Sequence, residues 1–445
     1  MRIGLPQARA RSIFARLLKA ALEAVDPYRA VLRETKIRNH TLLVGPYRYP
    51  LSRYRRIVAI GAGKASARMA QGLERVLGEK LDSGLVVVKY GHRLATETVR
   101  VIEAAHPVPD RAGLEAGRRL LDFAGALTEH DLLIVLLSGG ASSLLPVPAA
   151  GLSLADKQET TQLLLRSGAT IQEINTVRKH LSSLKGGRLA AATKAHVVTL
   201  ALSDVIGDDL GTIGSGPTAP DDTTFAEAWA IIRKYRLGAA IPRVVRRHLL
   251  QGMQGRREET PPSGSPVFRH VRHHVIGSNS MAVEAAARAA GRSGLRTIVV
   301  TSSLTGEAKE VAKVFGAVGR EIVGAGRPLR PPCCFMAGGE LTVTVSGHGR
   351  GGRAQEFALA AVSEIAGLKR VWIAGFATDG SDGPTDVAGA VVDGNTAARA
   401  RHQGFAPTRA LMNNDAYTFF RQTGGHIVTG PTGTNVNDLY LLLAL

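Results

Sequence analysis

The first block of the chain is a helical stripe. Across residues 9–25, Ile13, Leu17, Leu18, Ala21 and Leu22 fall on one face and arginines on the other. The pattern then changes to short apolar runs that end in glycine turns. RIVAIGAGKASARMAQGLERVL reads as strand, turn and helix; DLLIVLLSGGASSLLP repeats the strand-to-turn pattern, and HVVTLALSDVIGDD does so with acids after the strand. LDSGLVVVKY and TVRVIEAAHPVP add strands, and GLEAGRRLLDFAGAL adds a helix. Strands this uniformly apolar predict a mostly parallel sheet covered by helices on both faces.

Residues 251–266, QGMQGRREETPPSGSP, are polar and rich in Gly, Pro and Ser, the composition of a linker. They divide the chain into a domain over residues 1–250 and another over residues 267–445. In the second, HHVIGSNS, TIVVTSS, FMAGGELTVTVSG and RVWIAGFATDG read as strands, with helices over 281–290, 308–323 and 354–365. Alternation in ELTVTVSG predicts an antiparallel pair, hence a mixed sheet. The expected fold class is therefore α/β in two domains, the first Rossmann-like. The N-terminal amphipathic helix is expected to pack on the first domain rather than on a membrane surface.

Composition narrows this picture. A chain of 445 residues exceeds one hydrophobic core, and 50 glycines predict many tight turns. No apolar run approaches the ~18 residues of a membrane span, and the N-terminus lacks a cleavable leader, so a cytoplasmic location is expected. The two cysteines, Cys333 and Cys334, are adjacent, which suits core positions in a strand better than a disulfide or a zinc site. The formal charge of +19 raises the question of nucleic acid. Outside residues 243–274, however, the basic residues are dispersed and not interleaved with stacking aromatics. Small acidic substrates drawn in by the overall field account for the charge without nucleic acid as a partner.

Several glycine turns carry polar chemistry. Gly61-Ala62-Gly63-Lys64-Ala65-Ser66 follows a strand and opens a helix, so backbone N–H groups of Gly61 and Gly63 are candidate phosphate ligands and Lys64 can neutralise a transferred phosphoryl group. Ser66 stands where a dinucleotide fingerprint has its third glycine. In Ser138-Gly139-Gly140-Ala141-Ser142-Ser143 the glycines admit a phosphate to the backbone, and Ser138, Ser142 and Ser143 add hydroxyls. Asp204, Asp208 and Asp209 follow one predicted strand, and Asp379, Asp382 and Asp386 another. Carboxylates so placed are candidates for substrate contact or magnesium, or else caps of turns. Arg353 follows Gly349-Arg350-Gly351-Gly352 at a helix start, where a cation is electrostatically disfavoured unless an anion accompanies it. Residues 430–438 offer hydroxyl and amide donors in a turn.

Taken in order, GAGKAS, AAHPVPD, LLSGGASSLLP, INTVRKHLSSLKGGRLA, ALSDVIGDD with GSGPTAPD, GGELTVTVSGHGRGGRAQEF, ATDGSDGPTD and GPTGTNVNDL resemble the glycerate kinase family with a MOFRL domain, over nearly the whole chain. The resemblance implies ATP-dependent phosphorylation of D-glycerate at its 2-hydroxyl, giving 2-phosphoglycerate and ADP, with Mg2+ or another divalent metal. It also implies an active site in the cleft between the domains, with Lys64 and Arg353 as the catalytic basic pair. The chain departs from the family pattern at Ala354, where GGRNQE has asparagine, and at Gly214, where ASGPT is usual. Two rival readings remain: an NAD(P)H-dependent hydroxypyruvate reductase, for which Asp82 only loosely matches the ribose-binding acid, and a nucleic-acid-binding module. A homo-oligomer is left open.

Overall fold

A computed structural model describes all 445 residues. They form two compact units, one made of Pro27–Ser203 with Asp208–Ile276, the other of Met1–Asp26, Asp204–Gly207 and Gly277–Leu445. This division differs from a single cut at residues 251–266. That segment lies inside the first unit, where Ser263 N–H donates to Asp222 at 2.7 Å and Asp221 N–H donates to the Pro261 carbonyl at 3.0 Å. Its composition marks a loop, and side chains tie that loop down.

The unit holding Pro27–Ser203 is built on a six-stranded sheet. Its order is Val271–Gly277, His196–Leu202, Asp131–Ser138, Arg56–Ala62, Ser83–Lys89 and Val99–Ala104. Pairing is parallel from His196–Leu202 through Val99–Ala104. Every residue of Asp131–Ser138 is buried, as its continuous apolar run requires for a strand covered on both faces. Gly61 is needed for close strand packing, since a Cβ there would stand 2.1 Å from the Leu136 carbonyl oxygen. Beside the main sheet, Thr35–Arg38, Thr41–Val44 and Tyr47–Pro50 form a small antiparallel meander. A separate helical core gathers Leu164, Val177, Phe225, Ile232 and Leu249.

The other unit carries a seven-stranded mixed sheet. Arg296–Val299 and Cys333–Gly339 pair in parallel, and Asp438–Ala444 runs antiparallel between Cys333–Gly339 and Val371–Ala377. The mixed character does not come from ELTVTVSG. After Gly339 that segment makes only the isolated bridge of Thr342 with Glu307, while Leu341 is buried and Val345 is 73% exposed. Its alternation reports one apolar face resting on the core, a condition that a non-paired segment also meets. Phe357 stacks edge-on with Phe315 and with Tyr440, at 5.0 and 4.8 Å between ring centroids, in the middle of this core. Cys333 and Cys334 are both buried and free.

The N-terminal helix, Ala8–Ala24, belongs to this second unit and not to the first, contrary to the sequence expectation. It packs against the helix Asn279–Arg292. Arg2–Ile3 pairs with His426–Val428, and Thr434 donates from its hydroxyl to the Val25 carbonyl at 2.7 Å. An apolar stripe states that a helix needs a core, without stating which one. No helix of the chain is long and apolar enough to cross a membrane.

Candidate functional site

In the parallel sheet the chain passes from Arg56–Ala62 outward through two strands, then returns to place Asp131–Ser138 on the other side of Arg56–Ala62. The strand order therefore reverses between these two neighbours. Beyond their carboxyl ends lie the two glycine turns, at the position where open α/β sheets bind ligands. The turns are packed on each other. Lys64 N–H donates to the Gly139 carbonyl at 2.9 Å, and the Ser138 hydroxyl accepts from Ala65 N–H at 3.0 Å. Gly63, at φ +136°, would drive a Cβ to 2.1 Å from Ser138 Oγ. Gly61, Gly63 and Ser138 thus hold the two turns together. Ser143 donates to the Gly140 carbonyl at 3.1 Å, closing its own turn.

Three groups of this turn pair remain outward: Lys64, Gly140 and Ser142. A Cβ on Gly140 would stand 3.0 Å from His106 Cδ2 and 3.5 Å from Lys64 Cγ, so this position must be bare for those side chains to lie over the turn. Burial, then Lys64, pushes the His106 imidazole down to about 4, so it is neutral at pH 7. Lys64 takes part in no ion pair of the chain.

On the other side of Ser142 stands Lys185, only 2% exposed, whose ammonium donates to the Ser142 carbonyl at 2.6 Å and to its hydroxyl at 3.1 Å. Ser142 Oγ also lies 2.8 Å from Ser215 Oγ, which donates to Asn175 Oδ1 at 3.3 Å. Lys157, 6% exposed, donates to the Val147 carbonyl at 3.3 Å, and Arg178 is half-buried nearby. None of these three cations has a carboxylate partner. Burial holds Lys185 well below its ordinary range, with Lys157 and Arg178 adding to it; burial also takes Lys157 down to about 7. An arriving oxyanion would relieve this uncompensated charge.

Nothing local in the sequence distinguishes Lys185, Arg178, Ser215 or Asn175 from their neighbours. The signal available was INTVRKHLSSLKGGRLA, a helix and turn with four basic residues, but which of them would be buried without a counter-ion is not a local property. Ser215 carries a further mark. It is buried at φ +62°, a conformation costing about 1–3 kcal/mol for a residue with a side chain. Its neighbour Gly214, at φ +61°, has the residue type that this backbone favours.

In the mixed-sheet unit, Arg353 begins the helix Arg353–Glu364. Its guanidinium donates through Nε to Asp438 and through Nη1 to Glu340. Asp438 sits in register with both Gly339 and Ala377, at the ends of the flanking strands, so three strand ends converge on this group. The cost of a cation at a helix start is met within the chain by these two carboxylates, not by a ligand alone. Asp438 is 1% exposed; burial pushes its carboxyl up to about 7, against the opposing pull of Arg353.

The helix dipole itself is served by Asp382. Its two carboxylate oxygens accept from Ala354 N–H at 3.0 Å and Gln355 N–H at 2.8 Å, and Gln355 Nε2 adds a third bond at 2.9 Å. Asp382 is thereby a helix cap, 1% exposed, with both carboxylate oxygens engaged by donors of the chain. Ala354 is wholly buried beneath it, so the missing asparagine leaves an apolar contact there.

The other acidic candidates differ among themselves. Asp379 uses one oxygen for Ser381 N–H at 3.0 Å, and Asp386 accepts from the Tyr417 hydroxyl at 2.8 Å. The Asp204 carbonyl accepts from Asn437 Nδ2 at 2.8 Å, and Asp208 is held at φ +56°. Asp209 caps its own turn through Gly211 and Thr212. No three His, Cys, Asp or Glu side chains gather into a set able to hold a metal. In the turn over residues 430–438, the hydroxyls of Thr432 and Thr434 are engaged by the Thr378 and Val25 carbonyls. Asp82 accepts from Ile57 N–H at 2.7 Å at the amino end of the sheet, the opposite edge from Gly61–Ser66, and so cannot receive a ribose at that turn.

A family described as a domain of unknown function (DUF4147) matches residues 13–250, and the MOFRL family matches residues 333–438. A Pyrococcus horikoshii protein named glycerate 2-kinase is 41% identical over 434 residues, 97% of each chain. An Agrobacterium vitis protein named putative hydroxypyruvate reductase is 44% identical over 391 residues, 87% of this chain and 99% of its own. The crystal structure of glycerate kinase from Thermotoga maritima superimposes with a TM-score of 0.88 at 40% identity, covering 99% of this chain and all of that one.

Proposed function

Because the chain belongs to the glycerate kinase family that carries a MOFRL domain, we propose that it is a glycerate 2-kinase, moving the terminal phosphoryl group of ATP to the 2-hydroxyl of D-glycerate. The observation that carries this reading is the pair of glycine turns at the strand-order reversal, flanked by Lys64 and by the uncompensated cations Lys185 and Arg178. Both substrates are anions, and phosphoryl transfer depends chiefly on positioning and charge neutralisation.

In this scheme Lys64 meets the transferred phosphoryl oxygens over the bare face of Gly140. Backbone N–H groups from Gly139 to Ser142 cradle phosphate, while Gly61, Gly63, Ser138 and Ser143 keep the turns in register. Lys185 and Arg178 hold an anionic end of a substrate beside the hydroxyls of Ser142 and Ser215. Arg353, oriented by Asp438 and Glu340, supplies the second catalytic cation. Magnesium entering with ATP would supply charge on the phosphate oxygens. One or two carboxylates suffice for such an ion, and Asp379, with one oxygen free of hydrogen bonds, fits that need better than Asp382, whose two oxygens both accept from backbone N–H groups.

The test is ADP formation dependent on D-glycerate with Mg-ATP, followed by separate enzymatic detection of 2- and 3-phosphoglycerate. The expected product is the 2-phosphate. Oxidation of NADH or NADPH by hydroxypyruvate, without any glycerate-dependent ADP, would overturn the reading in favour of a reductase.

A further inference from the structure

At the amino end of the parallel strands, the edge opposite the glycine turns, lies a cavity of about 200 Å³. Four arginines line it: Arg48, Arg53, Arg269 and Arg272. No carboxylate does. Arg272 donates only to backbone carbonyls, those of Arg269 and Val271, and none of the four takes part in an ion pair. All four are exposed at the mouth of the cavity, and their charge there is not balanced by any acidic lining residue.

The floor is aromatic. His196, which begins the strand His196–Leu202, stands 4.9 Å between ring centroids from His270 and 5.6 Å from Tyr54. Burial, then His270, Arg53 and Arg272, hold the His196 imidazole below its ordinary pKa. Tyr49, on the strand Tyr47–Pro50, is 6% exposed, and its hydroxyl is buried without any hydrogen-bond partner. A buried hydroxyl left unpaired is costly and calls for an explanation.

We propose that this cavity is a second anion site, separate from the glycine turns, that binds a compact phosphate-bearing anion of about pyrophosphate size. The volume is below the roughly 300 Å³ at which pockets for drug-sized ligands begin, so the occupant is small. Several planar guanidinium forks carried on different segments of the chain match the many acceptor oxygens of a phosphate better than a single carboxylate does. The Tyr49 hydroxyl gains its missing partner from the same oxygens. Free pyrophosphate and the phosphate tail of a nucleotide share this chemistry.

The proposal is tested on the full chain by titrating inorganic pyrophosphate, and separately ATP, while following the His196 ring resonance by NMR. An anion beside the imidazole favours its charged form, so the His196 pKa is expected to rise on binding. The rise should persist in Lys64→Ala, which separates this site from the glycine turns. In Arg53→Ala/Arg272→Ala the affinity should fall at least about tenfold, with glycerate-dependent ADP formation unchanged. Tyr49→Phe should also weaken binding, and it serves if the double variant fails to fold. A response to pyrophosphate alone identifies a free anion, and a response to both identifies a nucleotide tail. No His196 response to either anion, or a response in Arg53→Ala/Arg272→Ala and in Tyr49→Phe equal to that of the wild type, overturns the proposal. So does a shift produced by duplex DNA and by neither small anion.

Discussion

Arg353 and Asp438 form a clamped pair: Nε of the arginine donates to Oδ2 of the aspartate, and Tyr440 Oη donates to the same oxygen at 2.9 Å. Asp438 thus fixes the direction of the guanidinium without needing to touch substrate. Asp438→Asn keeps the shape and removes the charge. A lost hydrogen bond to a charged group costs about 1.5–3 kcal/mol, which is roughly 10- to 100-fold in rate. Turnover should fall by that factor with an unchanged circular dichroism spectrum. Since burial pushes the Asp438 carboxyl up to about 7, wild-type kcat/KM should also decline as pH falls below 7 and the carboxylate protonates. The variant should lack that limb of the profile.

Lys64→Ala and Arg353→Ala should each lower turnover by roughly 10³-fold or more, the scale attached to a cation on a transferring phosphoryl group. The fold should survive in Lys64→Ala, because the Lys64 ammonium pairs with no carboxylate of the chain. Near-normal turnover in either variant would remove that residue from the scheme.

Lys185→Met distinguishes a ligand-binding cation from a structural one. An unpaired buried ammonium costs stability, and an apolar side chain of similar length does not. The urea midpoint of the variant should therefore equal or exceed that of the wild type. KM for D-glycerate or for ATP should rise about tenfold, the loss expected for one charge-assisted bond, and the substrate affected identifies the anion held there. A lower midpoint with unchanged kinetics would make Lys185 a structural residue.

Asp382→Ala uncaps the helix Arg353–Glu364. Loss of an N-cap costs roughly 0.5–2 kcal/mol, and two backbone N–H groups are left buried without partners. Denaturant unfolding should show at least that loss. The magnesium concentration for half-maximal activity should stay as in the wild type; a large increase would restore Asp382 as a metal ligand.

His248 gives a pH dependence of stability. It is 3% exposed, donates from Nε2 to the His180 carbonyl at 2.8 Å, and leaves Nδ1 buried without a partner. Burial lowers it from 6.5 to about 4. The folded state then binds fewer protons than the unfolded state between those values, so stability rises with pH across the window. Its contribution is complete above pH 6.5 and is lost as pH falls towards 4, amounting to about 3 kcal/mol at most. His248→Gln preserves an Nε2 donor and removes the titration, so its urea midpoint should vary less between pH 6.5 and 4.

Much of this was legible in the residue order. Apolar runs ending in Gly61–Ser66 and Ser138–Ser143 announce parallel strands with ligand-facing turns, because strand period and glycine's conformational freedom act over a few adjacent residues. The order of the motifs likewise pointed to the family, and Lys64 and Arg353 stood out locally. Other features depended on partners far away in the chain. The N-terminal helix found its core through contacts such as Val25 with Thr434, 409 positions apart. Asp382 became a cap because the helix Arg353–Glu364 begins beneath it, and Lys185 became an unpaired charge because the fold closed over it with no acid nearby. Periodicity and turn chemistry are local quantities, so the amino-acid sequence determined most of the elements and set out the candidate polar groups. Burial and pairing are properties of three-dimensional neighbours, so only the tertiary structure decided which charges are compensated and which are left without a carboxylate.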